Sequence, residues 1–516
     1  MRIWLLLLAL TTVVYADRQL KLVNAIWRHG DRSPTVTFPN DQVHVADWNE
    51  GGGGRGQLST TGMKQHVDLG NLLRNRYIVT QQFLSQQYNS AENLCSLMDD
   101  VLPAWSINVF LALLLIIYVR STDVNRTIIS AISNMIGMYS QTDNGNRAGI
   151  DYPNGLDGWP GAYVPIPIHT VDDPTDYVGN PDARCERQDQ LWELVKQSDD
   201  YIAYKNFPRV QQVIEIARNG SGMTNLNLDN MDYIVDTIFI EELKYGADQI
   251  RTWYPWYTDI RDFFEMISND LDDFADGDGM TNPVVQGVDT STEIKKLRGG
   301  ALIRSVNDHL QMKINAIQGR SHSAFYINLK YYVISAHDTT VAAYLSVLGA
   351  KDSVISPKGF PQYSACVLTE LFYDDTTDTS SVRLLYRASD ADGLDFTVIT
   401  KYVTGCPQDD DYCDLAIFDA VAKKYDPGDN AQLCNTPPQT TTTSTTQKAA
   451  GTTSTAPADR GSSSSSTTGL FFVYHIDHGN ADDKFRNICF RIFPTWIDNG
   501  APCAITVRKK MLTIKL

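Results

Sequence analysis

Short apolar runs alternate with helical patterns along much of the chain. Three of these runs are rich in Val, Ile and Tyr and have the character of buried strands: "LKLVNAIW" (20–27), "IIYV" (116–119) and "LKYYVISA" (329–336). A polar turn follows each run. Helical patterns come next, at 61–77, 121–139 and 339–349. The order strand, turn, helix predicts an α/β fold in which helices flank a mainly parallel sheet.

Residues 140–297 interrupt this alternation. They are rich in Trp, Tyr, Asp and Pro, and they contain helical stretches such as "QDQLWELVKQSDDYIAYKN" and "WYTDIRDFFEMISNDLDDFAD". We therefore expect a smaller, mostly helical domain over 140–297. It would be inserted into an α/β domain that is formed by 17–139 and 298–437.

Both ends of the chain differ in composition from its interior. Arg2, an apolar stretch, and small residues at Val14 and Ala16 predict a secretory signal peptide over 1–16, since the stretch is short for a membrane anchor. The Thr/Ser-rich segment 438–469 cannot bury enough apolar surface to fold, so it is expected to be a linker or an O-glycosylated stalk. We assign no structure to the tail at 470–516.

A second apolar stretch precedes the run at 116–119. Residues 101–119 approach the length of a membrane span, but they contain Pro103, Ser106 and Asn108. A span here would also keep Arg120, which ends this stretch, away from the residues that follow the first strand. Two explanations stay open for 92–116: an apolar insertion packed on the α/β domain, or translated non-coding sequence.

The charge balance limits the choice of partners. The chain has 44 Lys and Arg residues against 61 Asp and Glu, a formal net charge of −17 at pH 7. This acidity argues against nucleic acid or an anionic membrane as the main partner. Any anion site must therefore depend on a local cluster of basic residues.

Charged residues follow each of the three predicted strands. They are Arg28, His29, Asp31 and Arg32, then Arg120, then His337 and Asp338. One such turn alone could be a surface ion pair or a helix N-cap. However, the carboxyl ends of parallel strands meet at one edge of a sheet, so the three turns together predict one crevice. Guanidinium groups and helix N-termini match phosphate oxygens, which makes this a predicted phosphate site with a nucleophile.

Three segments, "RHGDRSP", "VRSTDVNRT" and "SAHDTTVAAYLSVLG", resemble the signature segments of the histidine acid phosphatases. This family is the branch of the histidine phosphatase superfamily that also includes the phytases. The resemblance covers about residues 20–435. The Thr-Thr pair after Asp338 is more similar to the acid phosphatases, because phytases usually carry Thr-Asn there.

The resemblance implies a role for each charged turn. His29 would be the nucleophile that forms a phosphohistidine, with its other ring nitrogen held by a hydrogen bond. Asp338 would protonate the leaving alkoxide and then activate water. The residues that would hold the phosphoryl oxygens are Arg28, Arg32, Arg120 and His337. No metal or other cofactor is implied, and Asp31 and Thr35 near the entrance would influence substrate choice.

The eight cysteines favour disulfides, because no CxxC pair stands beside a suitable histidine and the chain is predicted to be secreted. The resemblance implies two bridges, Cys185–Cys434 and Cys406–Cys413. Cys366 lacks its usual family partner in this sequence. It is therefore either free or paired with Cys95.

These features predict a secreted or lysosomal acid phosphatase that hydrolyses small phosphate monoesters without a cofactor. Two alternatives stay open: a phytase or lipid-phosphate phosphatase of the same family, and a non-catalytic phosphate-binding secreted protein. A homodimer is left open, and nucleic acid is not expected as a partner. Of the two glycosylation sequons, we expect use of Asn219 in a predicted surface loop rather than Asn125, where a helix begins.

Overall fold

The computed structural model describes residues 18–88, 116–140, 145–355, 359–390 and 395–437, and the backbone of 504–508 and 511–515. These residues belong to two compact units that divide between Thr443 and Ser444. The predicted signal peptide at 1–16, residues 92–115 of the apolar insertion and the linker at 438–469 lie outside the described residues. Those interpretations stay predictions.

Most strands of the first unit belong to one sheet. The strands are β1 (Arg18–Arg28), β2 (Ile117–Thr122), β3 (Ile168–Val171), β4 (Val284–Val285), β5 (Val288–Asp289), β6 (Tyr331–Ala336), β7 (Cys366–Asp374), β8 (Thr379–Arg387), β9 (Thr397–Val398) and β10 (Cys413–Asp414). Eight of them form the sheet in the order β10-β8-β7-β1-β6-β2-β3, with β9 paired to β8. The remaining two, β4 and β5, form a separate hairpin.

Helices connect these strands and make up the inserted region. In the described part of the first unit they are α1 (Thr60–Arg74), α2 (Asn125–Tyr139), α3 (Glu186–Val195), α4 (Asp199–Lys205), α5 (Pro208–Ser221), α6 (Asp232–Tyr245), α7 (Ala247–Trp253), α8 (Pro255–Thr258), α9 (Arg261–Ala275), α10 (Thr290–Lys295), α11 (Ala301–Ile317), α12 (Ala324–Asn328), α13 (Asp338–Leu348), α14 (Lys351–Val354), α15 (Leu415–Lys424) and α16 (Asn430–Cys434). The helices predicted after the three apolar runs are α1, α2 and α13.

The three predicted strands lie next to one another at the centre of the sheet. β1 and β2 each pair in parallel with β6, which lies between them. β3 extends this parallel part at one edge. On the other side, β7 pairs with β1 and β8 pairs with β7, both antiparallel. The predicted α/β class with a mainly parallel central sheet is confirmed, and an antiparallel extension completes the sheet.

Both faces of the sheet are covered, which explains why the strands read as continuous apolar runs. On β1, Ala25 and Trp27 face a hydrophobic cluster that includes residues of α1 and α2. Leu22 and Ile26 face the opposite cluster, which includes residues of α11, α13 and α15. Successive side chains of a strand point to opposite faces, so a strand buried on both sides needs apolar residues at nearly every position.

The inserted helical region predicted at 140–297 contains α3 to α10. Most members of one hydrophobic cluster come from this region, among them Ile238, Phe264 and Ile267. The predicted boundary needs one correction, because β3 lies within 140–297 and yet pairs with β2 of the main sheet. The α-helices of the insertion begin only at Glu186.

The two expected disulfides are both present. Cys185–Cys434 joins the residue before α3 to the end of α16, and Cys406–Cys413 closes a loop before α15. Cys366 is buried in β7 and, among the described residues, is a free cysteine. Cys95, its other suggested partner, lies outside those residues.

Within the tail at 470–516, the structure describes one β-hairpin. Its strands are β11 (Ala504–Arg508) and β12 (Met511–Lys515), and they pair antiparallel. This hairpin adds to the sequence analysis, which assigned the tail no structure. Across the described ranges, no helix combines the length and the apolar character that crossing a membrane requires.

Candidate active site

The turns that follow β1 and β6 meet because the two strands are parallel neighbours. Arg28 at the end of β1 lies opposite Ala336 at the end of β6. His29 and His337 therefore follow at the same edge of the sheet. Their rings stand edge to face, with centroids 5.7 Å apart. The structure thus brings together the two turns that the sequence analysis expected to converge.

The backbone sets the orientation of His29, which is only 1% exposed. Its Nδ1 lies 2.8 Å from the carbonyl oxygen of Gly30. A carbonyl oxygen can only accept, so Nδ1 carries the proton and Nε2 keeps its lone pair. Burial, and then the charges of Arg126 and Arg28, hold the pKa of His29 well below its ordinary value. The imidazole therefore stays neutral in acid, which is the state that a nucleophile requires.

Close packing against two helices holds this turn in place. A Cβ at Gly30 would lie 2.4 Å from the carbonyl oxygen of Gly62 in α1, so no larger residue fits. The Gly30 N–H donates to Ser130 Oγ of α2 over 3.1 Å. From α1, Nε2 of the buried His66 donates to the carbonyl oxygen of Arg28 over 3.0 Å. His66 therefore supports the backbone of the turn from behind.

Arg28 is buried and held on three sides. Its Nη2 lies 2.8 Å from Oδ2 of Asp338, and its Nη1 donates to the carbonyl oxygen of Pro361 over 2.8 Å. Its guanidinium carbon lies 4.2 Å from the ring centroid of Tyr363. A cation over an aromatic face is attracted to it. These contacts fix the direction of the guanidinium group.

Asp338 is the first residue of α13, and 27% of its side chain is exposed. Burial opposes its ionisation, but Arg28 and then Arg32 outweigh this effect and hold the pKa of Asp338 below its ordinary value. The exposed part faces a cavity of about 240 Å³ that Thr35 also lines. Asp31, which we expected near the entrance, accepts a hydrogen bond from the Ser59 hydroxyl and is not among the residues that line this cavity.

Arg32 comes from the same turn, but the inserted helical region holds it. Its Nη1 and Nη2 donate to the two carboxylate oxygens of Asp236 in α6, over 3.1 and 3.0 Å. Burial disfavours the charged form, yet Asp236 raises the pKa of Arg32 above its ordinary value. Asp236 was not predicted, because no motif marks it and it lies about 200 residues from Arg32 along the chain.

Arg120 does not join this group, which corrects the sequence-based expectation. β2 continues to Thr122, and the side chain of Arg120 interacts with Tyr332 and forms a buried ion pair with Asp176. Arg126, in the first turn of α2, takes the expected place. Its Nη2 lies 3.4 Å from Nδ1 of His337.

Arg126 could have been suspected from the sequence, since "VRSTDVNRT" contains both arginines. The choice between them depends on where β2 ends and α2 begins. Burial and the nearby Arg32 lower the pKa of Arg126 to about 10. The guanidinium group therefore stays positive throughout the acid range.

His337 is buried at the N-cap position of α13. Its Nδ1 accepts from Arg126, so its Nε2 carries the proton and donates to Thr122 Oγ1 over 3.0 Å. Burial and then Arg126 lower the pKa of His337 to about 3. This second imidazole is therefore also neutral at mildly acid pH.

The group as a whole surrounds a neutral imidazole with positive charge. The Nε–H donors of Arg28, Arg32 and Arg126 are buried and have no hydrogen-bond partner among the described residues. Leaving such donors unpaired costs free energy, and phosphate oxygens would accept from them. The arrangement can therefore hold a phosphoryl group before His29 with Asp338 alongside. In the described part of the chain, no three His, Cys, Asp or Glu side chains are grouped to hold a metal ion.

Comparison with known proteins agrees with this geometry. A Caenorhabditis elegans protein, whose acid phosphatase name is provisional, is 30% identical over 81% of this chain and 89% of its own length. Human lysosomal acid phosphatase is 28% identical over 81% of this chain and 80% of its own length.

A solved structure shows the same fold. It is a Hafnia alvei phytase in complex with myo-inositol hexakis sulphate, with a TM-score of 0.52 and 14% identity over 82% of this chain and all of the other. This likeness supports the fold alone. Residues 19–387 match the family model of the histidine phosphatase superfamily, branch 2. The chain therefore belongs to that branch of the histidine phosphatase superfamily.

Proposed function

We propose that this protein is an acid phosphatase that hydrolyses phosphate monoesters through a phosphohistidine on His29. The observation that carries the proposal is the geometry around buried His29. Its Nδ1 is held at the Gly30 carbonyl oxygen, so the lone pair of Nε2 is left beside the positive charges of Arg28, Arg32 and Arg126. The name of the human relative, lysosomal acid phosphatase, agrees with this activity.

In the first step, Nε2 of His29 attacks phosphorus and the bond from phosphorus to the alcohol oxygen breaks. The arginines stabilise the charge on the phosphoryl oxygens, and His337 accepts a hydrogen bond from Arg126 and so helps to position it. Asp338 gives its proton to the leaving oxygen, so the products of the step are the alcohol and phosphohistidine. The negative charge of the bound phosphate offsets the positive charge of Arg28, and it therefore favours the protonated form of Asp338.

In the second step, water attacks the phosphohistidine. Asp338, now a carboxylate, accepts a proton from this water as the new oxygen–phosphorus bond forms. The nitrogen–phosphorus bond breaks and returns its electron pair to Nε2 of His29. Inorganic phosphate leaves, and both residues are back in their starting states.

We place this enzyme in the lysosome or outside the cell. The predicted signal peptide at 1–16 and the two disulfides agree with an oxidising secretory route. Asn219, the expected glycosylation site, is exposed in the last turn of α5 rather than in a loop. Its glycosylation and the homodimer stay predictions.

A single-turnover experiment with an aryl phosphate labelled on phosphorus tests the proposal. We expect acid-labile label on the wild-type protein and none on His29→Ala. His322→Ala is the matched control, because His322 is an exposed histidine and is not among the charged groups that act on His29. Tight phosphate binding without covalent label would instead favour a non-catalytic phosphate-binding protein.

A substrate panel separates this proposal from the alternatives within the family. We expect hydrolysis of a chromogenic aryl phosphate at acid pH, with no inhibition by a chelator. Activity restricted to inositol hexakisphosphate would favour a phytase. Activity restricted to a lysophospholipid monoester would favour a lipid-phosphate phosphatase.

A further inference from the structure

The cavity beside Asp338 has an acidic wall. Its volume is about 240 Å³, and its lining includes five aspartates, two arginines and one lysine. Asp338 and Arg32 both belong to this lining. A substrate whose ester oxygen lies next to Asp338 must place its alcohol portion here, so the cavity is the leaving-group end of the proposed site.

The basic side chains of the wall are already neutralised by carboxylates. The ion pairs are Arg32–Asp236, Arg298–Asp276 and Lys351–Asp276, at 3.0, 3.0 and 2.6 Å. Asp232 in α6 and Asp272 in α9 line the same cavity, and neither forms an ion pair with a basic side chain among the described residues. The lining therefore holds two more negative than positive groups.

We infer that Asp232 and Asp272 favour phosphate monoesters whose alcohol carries a positively charged amine or quaternary ammonium group. The inference rests on the proposed phosphatase function, which puts the phosphoryl group at His29 and the alcohol in the cavity. Tyr233 and Phe360 also line the cavity, and aromatic faces attract cations. A leaving group with several further phosphates would meet these two carboxylates with like charge and is disfavoured.

The charge of the two aspartates depends on pH. Asp232 and Asp272 are exposed at the cavity wall. Partial desolvation there and then Asp276 raise the pKa of Asp272 above its ordinary value, and partial desolvation with a contribution from Asp236 raises that of Asp232. The charged groups that act on Asp272 are Asp276 on α9, Lys351 on α14, Asp338 on α13 and Arg298 before α11. Asp236 on α6 acts on Asp232, and Arg32 lines the same cavity. An acid with a raised pKa is neutral below it and charged above it. The preference should therefore be weak at about pH 5 and strong at about pH 7.5.

Phosphocholine and 3,3-dimethylbutyl phosphate form a matched substrate pair for the test. They have nearly the same shape, but a quaternary nitrogen in the first replaces a quaternary carbon in the second. The ionisation of His29 and Asp338 is common to both substrates and cancels in the ratio of their kcat/KM values. The ammonium group lowers the pKa of its own phosphate, so the ratio of each variant is compared with that of wild-type protein at the same pH. We expect wild-type protein to prefer phosphocholine about tenfold at about pH 7.5 and less than about twofold at about pH 5.

Two isosteric variants assign the preference to named residues. Asp232→Asn and Asp272→Asn should each lower the ratio at about pH 7.5 severalfold, and the double variant should bring it close to one. Asp189→Asn is the control, because Asp189 is exposed on α3 and is not part of this cavity. It should leave the ratio unchanged. If the double variant kept the wild-type ratio of kcat/KM values at about pH 7.5, the inference would be overturned.

The salt dependence of the substrate ratio, measured on wild-type protein, provides a second test. Because the attraction is electrostatic, high salt should reduce the ratio at about pH 7.5. Hydrolysis of an aryl phosphate by the same preparation separates the two possible failures. If that substrate is hydrolysed and the ratio is one at every pH, only the present inference is wrong. If folded protein hydrolyses none of the three esters, the proposed function is wrong as well.

Discussion

At the level of single residues, one set of positive charges has two effects on the site. Arg28, Arg32 and Arg126 present donors that suit a phosphoryl group. The same charges, together with burial, keep the imidazoles of His29 and His337 neutral. A protonated histidine could not attack phosphorus, so these arginines also preserve the nucleophile at the pH at which an acid phosphatase works.

Asp338→Asn should separate substrates by their leaving groups. The variant cannot donate a proton, so we expect alkyl phosphates to be hydrolysed at least about 100-fold more slowly, with a smaller loss for aryl phosphates, whose oxide leaves more readily. Steady-state kinetics on both classes measures the difference. Equal slowing of both classes would mean that Asp338 is not the proton donor.

Replacing Arg126 should lower activity, whereas replacing Arg120, the other arginine of "VRSTDVNRT", should lower stability. Arg126→Gln removes a donor beside His337, and we expect kcat/KM for an aryl phosphate to fall about 100-fold. Arg120→Gln leaves the buried Asp176 without its partner, so we expect a loss of about 3–5 kcal/mol in the free energy of unfolding, with kcat/KM of the folded protein largely retained.

Denaturant unfolding and steady-state kinetics on both arginine variants provide the comparison. The opposite result, in which Arg120→Gln abolishes activity and Arg126→Gln only destabilises the fold, would mean that Arg120 rather than Arg126 binds the phosphoryl group.

Among the secondary-structure elements, α6 connects the inserted helices to the turn after β1. Asp236 holds Arg32 through two hydrogen bonds. Thr237 Oγ1 donates to the carbonyl oxygen of Val36 over 3.0 Å. Val36 lies two residues beyond the end of the "RHGDRSP" segment. The inserted region therefore positions Arg32, one of the proposed phosphate-binding residues, and it also forms a wall of the cavity.

Asp236→Asn tests this positioning role. The amide cannot accept both guanidinium donors of Arg32, so we expect the inhibition constant for inorganic phosphate to rise about tenfold. Asp236→Glu should restore part of the affinity, and Asp262→Asn, at an exposed position on α9, is the control. A lower Tm with unchanged phosphate inhibition would show that Asp236 acts on the fold alone.

At the level of the whole molecule, the Cys185–Cys434 bridge joins residues 249 positions apart. In the chain-entropy description, closing so long a loop stabilises the fold by about 5 kcal/mol, whereas the Cys406–Cys413 bridge, which spans 7 positions, contributes about 2–3 kcal/mol. We expect the double Ser variant of the long bridge to lose more stability than that of the short one. Denaturant unfolding measures both, and equal losses would contradict the prediction.

Local patterns in the sequence were sufficient for the centre of the fold. β1, β2 and β6 are buried on both sides, so each is a continuous apolar run. β3 was missed because it has only four residues and three of them are exposed. The antiparallel strands β7 and β8 depend on pairing between segments, which no local period records.

The sequence by itself also predicted that Arg28, His29, His337 and Asp338 meet, because they end or directly follow strands that become parallel neighbours. The resemblance to the histidine acid phosphatases supplied their expected roles. Only the tertiary structure decided between Arg120 and Arg126, since β2 continues three residues past the predicted end at Val119 and this changes which side chain reaches His337. It alone brought Asp236 to Arg32, and Asp232 and Asp272 to the cavity. The physical reason is that ion pairs and cavities form between segments far apart along the chain, and their partners are set by packing rather than by spacing.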